Sequence, residues 1–463
     1  MPKVFVFCIG GTGIRVLKSI TMLAASGMKT NGYKIIPIIV DPHIDLEEKT
    51  KVDNLIADYS RIYDFSTQNG VNRLDAMDGF FNAEFVKLSD LDGQVNAKNQ
   101  NQAERRSFSD YINAGNLDNN DINNYLIKTL FSEKNLTNSL AVGFKGNPNV
   151  GTVVLNEMVG KSNWYDSFLR HFEGDDRVFI ISSIFGGTGA SGYPLIEKKV
   201  RDAESFPNVK RAIMGAVTVL PYYGLDDPKN SGSDIDSANF YTKTKAALSY
   251  YEKSVKSDYL YYVGEQTLRA TYCNNEREQR DYAHFVELVA ASALFDFLKR
   301  ERPDTPQALT RAIKEDKETM EMVSLGDGYF DLVHSVSNMM LMQRLVSQLP
   351  KESQFPLKLN WKMNSDFYEG DKFKSLSSFC QQFGTWYEEL SSNKRSFAPL
   401  NLTDGIYGDY KNWIKGQSLK GKDLSYYFLQ ILNTSSATKK THDNEFRYFV
   451  EFIHTAIDYY TSK

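Results

Sequence analysis

The chain has 463 residues, with 54 Lys+Arg against 58 Asp+Glu and a formal net charge of −4. That length admits about three domains and at least one large core, and no block of like charge is long enough for a nucleic-acid arm, so no nucleic-acid partner is expected. Three cysteines (Cys8, Cys273, Cys380), odd in number, far apart and without a CxxC, exclude a disulfide framework and a zinc ribbon and predict a reducing, cytoplasmic setting.

In chain order, Met1-Pro2-Lys3 leads straight into Val4–Ile9, a β-branched and aromatic strand, with no signal peptide between. Gly10-Gly11-Thr12-Gly13 breaks the strand, Ile14–Ala25 has apolar residues at helical spacing, and Ile35–Val40 forms a second buried strand ending on Asp41. Both apolar runs fall short of the roughly 18 residues of a membrane span, so none is expected. Such a βαβ unit suits a parallel sheet covered on both faces. From about 46 to 138 the sequence turns polar, with an Asn/Asp/Gln-rich middle and short amphipathic pieces such as Tyr125–Phe131; it reads as an insertion with some helix, outside the sheet. Alternation then resumes through strand Val178–Ile184, helix Pro194–Asp202, strand Ala212–Val219, helix Ser237–Lys253 and strand Asp258–Val263. That order predicts a doubly wound α/β sheet. Between Tyr282 and Leu298 nearly every residue is apolar, with His284, Glu287, Ser292 and Asp296 as polar exceptions, which predicts a central helix buried all round. After Arg300 the chain reads as mainly helical, with a candidate strand at Phe355–Lys362 and a last amphipathic helix from about Asn444 to Tyr460. The division is thus 1–280 for the sheet domain, 281–300 for the central helix and 301–463 for a helical part.

Two identical turns occupy the same context. Gly10-Gly11-Thr12-Gly13 and Gly186-Gly187-Thr188-Gly189 each link an apolar strand to a helix. Absent side chains let backbone N–H groups approach a phosphate at the positive helix end, and a hydroxyl between glycines donates to a phosphate oxygen. Alone, such a turn is equally a tight turn with no ligand; the pair makes that simpler account harder to hold.

A third stretch, Gly143 to Gly151 (GFKGNPNVG), resembles the γ-phosphate loop GxxxNPxVG of the tubulin/FtsZ superfamily, with Gly143, Asn147, Pro148, Val150 and Gly151 in register. Phe185-Gly186-Gly187-Thr188-Gly189-Ala190-Ser191 followed by Pro194 looks like that family's GGGTGxG turn, and Val217-Thr218 through Leu220-Pro221-Tyr222 like its VTxPF segment. Order and context agree across roughly residues 1–300. The resemblance implies a Rossmann-like nucleotide domain of the tubulin/FtsZ type, followed by the central helix and a mainly helical C-terminal domain. It also implies GTP or GDP as ligand, with Mg as a candidate companion, GTPase activity, and self-assembly of a bacterial, cytoskeletal-type scaffold into a homo-oligomer or filament. The 46–138 insertion would read an unknown protein partner.

Carried over residue by residue, Gly10, Gly11, Thr12, Gly13, Gly143, Gly146, Asn147, Gly186, Gly187, Thr188 and Gly189 surround the phosphates, and Pro221 lies toward the ribose. Tyr282 stacks on the base and His284 takes the place of the family's base-reading Asp or Asn, where it does not impose guanine as a carboxylate does. Phe185 and Ser191 replace glycines of the family pattern, and Phe185 reads equally as packing. Lys145 is a candidate phosphate lysine set against a solvated one, and Arg15 faces phosphate or, on the simpler account, solvent. Asp41 binds ribose or holds magnesium through water, or else caps the turn before Pro42. Tyr222-Tyr223 and Tyr261-Tyr262 read as packing. The histidines show no HExxH or paired spacing, so no metal site is expected. The family's activating loop NxDFxD has no counterpart after Arg300, where only Glu301, Asp304 and Lys314-Glu315-Asp316 occur, so no catalytic acid is assigned and the expected hydrolysis is weak or absent. Two alternatives stand beside this: an NAD(P)-type dinucleotide-binding oxidoreductase using the first turn and Asp41, and a degenerate tubulin-like interaction module without nucleotide.

Overall fold

A computed structural model describes residues 1–42, 47–67, 79–92, 106–118, 120–140, 143–144, 146–225, 240–265, 270–272, 282–310, 313–351, 365–402, 412–418 and 444–461. Six parallel strands form one sheet: β1 (Lys3–Ile9), β2 (Lys34–Val40), β3 (Arg177–Ser183), β4 (Ile213–Val219), β5 (Tyr259–Val263) and β6 (Gln307–Thr310), in the order β2-β1-β3-β4-β5-β6. The chain winds one way from β1 to β2 and the other way from β3 onward. The direction reverses at β1, which opens a crevice at the carboxyl ends of β1 and β3.

The alternation along β1 shows why this is a two-faced sheet. Val4, Val6 and Cys8 enter one hydrophobic cluster, while Phe5, Phe7 and Ile9 enter the other. The first face is covered by α1 (Gly10–Ala25), α2 (Glu47–Thr67) and the central helix, and the second by α3 (Pro148–Gly160), α4 (Asn163–His171), α5 (Gly187–Arg201) and α6 (Phe240–Ser254). The central helix, α7 (Phe285–Phe297), is buried along its length except at Ser292 and Asp296. This is the arrangement its uninterrupted apolar sequence predicts.

Three expectations change. Glu47–Thr67 is a helix of 21 residues whose Val52, Leu55, Tyr59 and Ile62 belong to the same core as α1, so the polar stretch opens with a core element. Its polar face had masked a regular apolar stripe. β6 lies after the central helix, so the sheet reaches beyond residue 300; its exposed, four-residue QALT sequence has none of the apolar density of the inner strands. Pro194 lies inside α5, which begins seven residues earlier than Pro194, at Gly187. The candidate strand at Phe355–Lys362 lies outside the described residues.

Helices α8 (Phe330–Gln348), α9 (Asp371–Ser392) and α10 (Glu445–Thr461) form the C-terminal part and share one hydrophobic cluster with α1, α2 and α7. At the β2 margin, Ile35 exchanges backbone hydrogen bonds with Glu84 and Val86. The next residue facing outward is Pro37, which has no N–H to offer. No described helix is long and apolar enough to cross a membrane, and the described cysteines, Cys8 and Cys380, are free and buried.

Candidate functional site

The first turn begins where β1 ends. Gly10 has a φ of 71°, a left-handed conformation that a side chain disfavours, and a Cβ there would lie 3.3 Å from Cβ of Thr188. The two GGTG turns therefore face each other across the crevice. The third loop closes on the second in the same way, since a Cβ on Gly187 would lie 3.0 Å from the Asn147 nitrogen and 3.1 Å from that of Gly146. Gly143 approaches Thr188 as well, a Cβ there standing 3.9 Å from its hydroxyl. Thr188 is thus the point where the three stretches meet. Thr12 and Gly13 are buried, and nothing stands within 4 Å of a Cβ on Gly11.

Each stretch opens a long helix: α1 with 16 residues, α3 with 13 and α5 with 15. The N-cap residues Ile9, Asn147 and Gly186 give no side-chain cap, and no acidic residue occupies the first turn of any of the three. Three helix N-termini thus open at one crevice with no carboxylate of their own in the first turn to neutralise the dipoles, and Pro148, the first residue of α3, has no N–H to leave unpaired. Asn147 instead fixes the third loop, donating from its backbone N–H (2.8 Å) and its side-chain amide (3.1 Å) to the Phe144 carbonyl.

The register Ile9↔Val40 places Asp41, half-buried, beside Gly10 at the same end of the sheet. Lys145 lies outside the described residues. A different lysine reaches this loop: Lys243 of α6 donates to the Gly146 carbonyl at 2.7 Å. Sequence had no way to single it out, because it lies 97 positions away on a helix with no motif. Pro221 is buried after β4, and its carbonyl accepts from Glu265 N–H at 3.3 Å.

At the start of α7 the structure corrects two expectations. Arg15 faces neither phosphate nor solvent; it is buried, donates from Nε to Glu287 Oε1 at 2.6 Å and from Nη2 to the Tyr282 carbonyl at 2.9 Å. His284 is completely buried and serves as the N-cap of α7, where its Nδ1 accepts from the Val286 N–H at 3.0 Å while Glu287 Oε2 accepts from the His284 N–H at 3.0 Å. Burial, reinforced by the charges of Arg15 and Arg395, pushes its pKa down to about 3, so it caps as a neutral ring. Glu287 also accepts from the Tyr222 hydroxyl at 2.7 Å. Tyr282, by contrast, is 60% exposed. Phe185 packs with Tyr222, Tyr223 and Phe240 and is buried, the packing role its sequence allowed; Tyr261 is buried too, donating to Asp296 at 2.7 Å. Among the described residues no group of three or more His, Cys, Asp or Glu is placed to hold a metal.

The sequence matches no described protein family, and no curated protein resembles it in sequence. Among solved structures, CetZ from Methanosaeta thermophila strain DSM 6194 is similar at a TM-score of 0.30 and 13% identity, over 72% of this chain. The chain spans 60% of the length of that protein. Likeness at this level carries no argument about activity; the α/β class rests on the parallel sheet itself.

Proposed function

We propose that the protein binds a nucleoside di- or triphosphate, GTP or GDP by its motifs, at the carboxyl ends of β1 and β3, as a tubulin/FtsZ-like protein that assembles with copies of itself. The observation that carries this is the convergence of three uncapped helix N-termini on one crevice, with glycines at the contacts between them. Backbone amides of Gly10–Gly13, Gly143, Gly146 and Gly186–Gly189 surround the phosphates, Asn147 orders the third loop, and Thr12 and Thr188 donate hydroxyl protons to phosphate oxygens. Lys243 adds a positive charge behind the third loop. Asp41 fits a magnesium ion of the kind held by one carboxylate, phosphate oxygens and water. With His284 enclosed, the exposed Tyr282 is the residue assigned to stack on a base, and none is assigned to select guanine. No catalytic acid is assigned. A dinucleotide-binding oxidoreductase would need only the first turn and would leave the second and third without a role.

Identification of the co-purified nucleotide by mass, followed by calorimetry with GTP, GDP and ATP, tests the proposal. Bound guanine nucleotide, or GTP binding to the emptied protein, is the expected result. An empty protein that binds neither GTP nor ATP at millimolar concentration would refute it.

A further inference from the structure

Past the carboxyl end of β4 the chain does not turn away at once. Leu220 donates from its N–H to the Val263 carbonyl at 2.7 Å, and Glu265 from its N–H to the Pro221 carbonyl at 3.3 Å, so the pairing of β4 with β5 runs on beyond both strands. The approach is close enough that a Cβ on Gly264 would stand 2.5 Å from Cβ of Leu220. The segment held in this way delivers Tyr222 and Tyr223, whose rings lie 6.2 Å and 5.6 Å from that of the buried Phe185. Phe185 directly precedes Gly186, so the two tyrosines set where the second glycine turn begins.

The group that fixes this segment comes from a distant part of the chain. The Glu265 side chain is 3% exposed and takes two arms of the Arg395 guanidinium, Nε donating to Oε2 at 2.5 Å and Nη2 to Oε1. Arg395 is equally buried, and it also donates from Nη2 to Asp316 at 2.5 Å and from Nη1 to the Lys317 carbonyl. In sequence it lies between α9 and Ser396–Phe397, which pairs with Thr319–Met320, so it belongs to the C-terminal part and stands 130 positions from Glu265. A planar guanidinium fixes a carboxylate in angle as well as in distance. The segment has a second anchor in the Tyr222 hydroxyl on Glu287, whose own arginine, Arg15, comes from α1. Two Arg–Glu pairs therefore hold residues 220–223, one supplied from the first turn's helix and the other from beyond the sheet.

We infer that Arg395 is a positioning residue for the second glycine turn: through Glu265 it sets residues 220–223, and through Phe185 the start of Gly186–Gly189, so that the C-terminal part regulates how tightly the crevice holds its ligand. A buried ion pair adds little net stability over an apolar pair of similar volume; what it supplies here is the geometry of the segment it holds. The coupling is reciprocal, so a ligand in the crevice tightens the Arg395 joint in turn. This inference deepens, and so rests on, the reading of the crevice as a nucleotide site.

Calorimetry with GTP on the full chain, with each variant's folding checked by urea denaturation, tests it. Arg395→Met should weaken binding about tenfold. That substitution strands the Glu265 carboxylate in the interior, so the double variant Arg395→Met/Glu265→Met, which puts apolar side chains of similar volume in place of the pair, separates affinity from stability. Its denaturation midpoint should stay near that of the wild type while its affinity falls by the same factor. Asp316→Ala cuts only the arm to the more exposed carboxylate, at 37%, and should change affinity by less than about twofold. A folded double variant that binds GTP as tightly as the wild type would reduce Arg395 to a structural group and overturn the inference, while leaving the nucleotide reading intact. An Asp316→Ala loss as large as that of Arg395→Met would overturn the route through Glu265. A wild-type chain that binds neither GTP nor ATP would refute the nucleotide reading and this role with it.

Discussion

The crevice at the carboxyl ends of β1 and β3 begins with Gly10 of α1 and the junction at the start of α7 takes in Arg15 of the same helix, yet the two are built from opposite materials. The crevice is made of backbone: glycines and helix N-termini left open. The junction is made of side chains, with Arg15, Tyr222 and the His284 N–H all satisfied by the single carboxylate of Glu287 inside the core. A cluster whose donors and acceptors match one another in this way is a joint between elements, whereas glycine backbone and uncapped helix starts are the surface to which the proposal assigns a ligand. Arg15 and His284 look like ligand residues by type and by position, and their hydrogen bonds assign them to the joint.

That contrast can be broken most decisively at Glu287. Glu287→Ala should cost about 3–5 kcal/mol in urea denaturation, because it removes the buried carboxylate that Arg15, Tyr222 and the His284 N–H share; a loss below about 1 kcal/mol would show the junction to be dispensable. Next in size, Gly187→Ala puts a Cβ 2.9 Å from Cβ of Phe144 and pushes the second and third stretches apart. It should lower nucleotide affinity at least tenfold by calorimetry while costing about 1–3 kcal/mol of stability, and unchanged affinity would mean that the contact does not shape the crevice.

A smaller effect separates the two regions by pH. The folded state holds His284 neutral, with a pKa of about 3 against 6.5 for the free side chain. Its contribution is complete above about pH 6.5 and drains away as pH falls toward 3, because the unfolded chain then binds the proton that the folded one refuses. Between pH 7 and pH 5.5 the wild type should therefore lose about 1 kcal/mol relative to His284→Asn, which keeps a capping acceptor without titrating; parallel stability curves for the two proteins would contradict a neutral buried cap. The smallest change is expected from Lys243→Ala. Loss of the bond to Gly146 should weaken nucleotide binding by several-fold, with little effect on the denaturation midpoint, and an unaltered dissociation constant would remove Lys243 from the crevice.

Much of the architecture is legible in the sequence where local pattern and global environment agree. The inner strands, the glycine turns and α7 all combine dense apolar sequence with clear stops, and the α/β class with a parallel sheet follows from strand-helix alternation. α2 was hidden because its apolar stripe of Val52, Leu55, Tyr59 and Ile62 is diluted by exposed charge. β6 has no such signature, because a short edge strand need not be apolar. In the crevice, glycine spacing identifies the backbone component, since a missing side chain is a local property. Long-range pairings such as Lys243 with Gly146 and Arg15 with Glu287, which is 272 positions away, have no local signature.

Pro37 bears on how copies of this chain can join. With the Ile35 hydrogen bonds already taken by the 84–86 segment and no amide at the next outward position, the β2 margin cannot template another strand. Growth across that margin as a continuous sheet is closed off, so contacts made there must be between side chains, and these can be weakened one residue at a time. An assembly joined in that way is reversible by dilution or salt, unlike a cross-β stack, whose backbone ladder no single substitution dissolves.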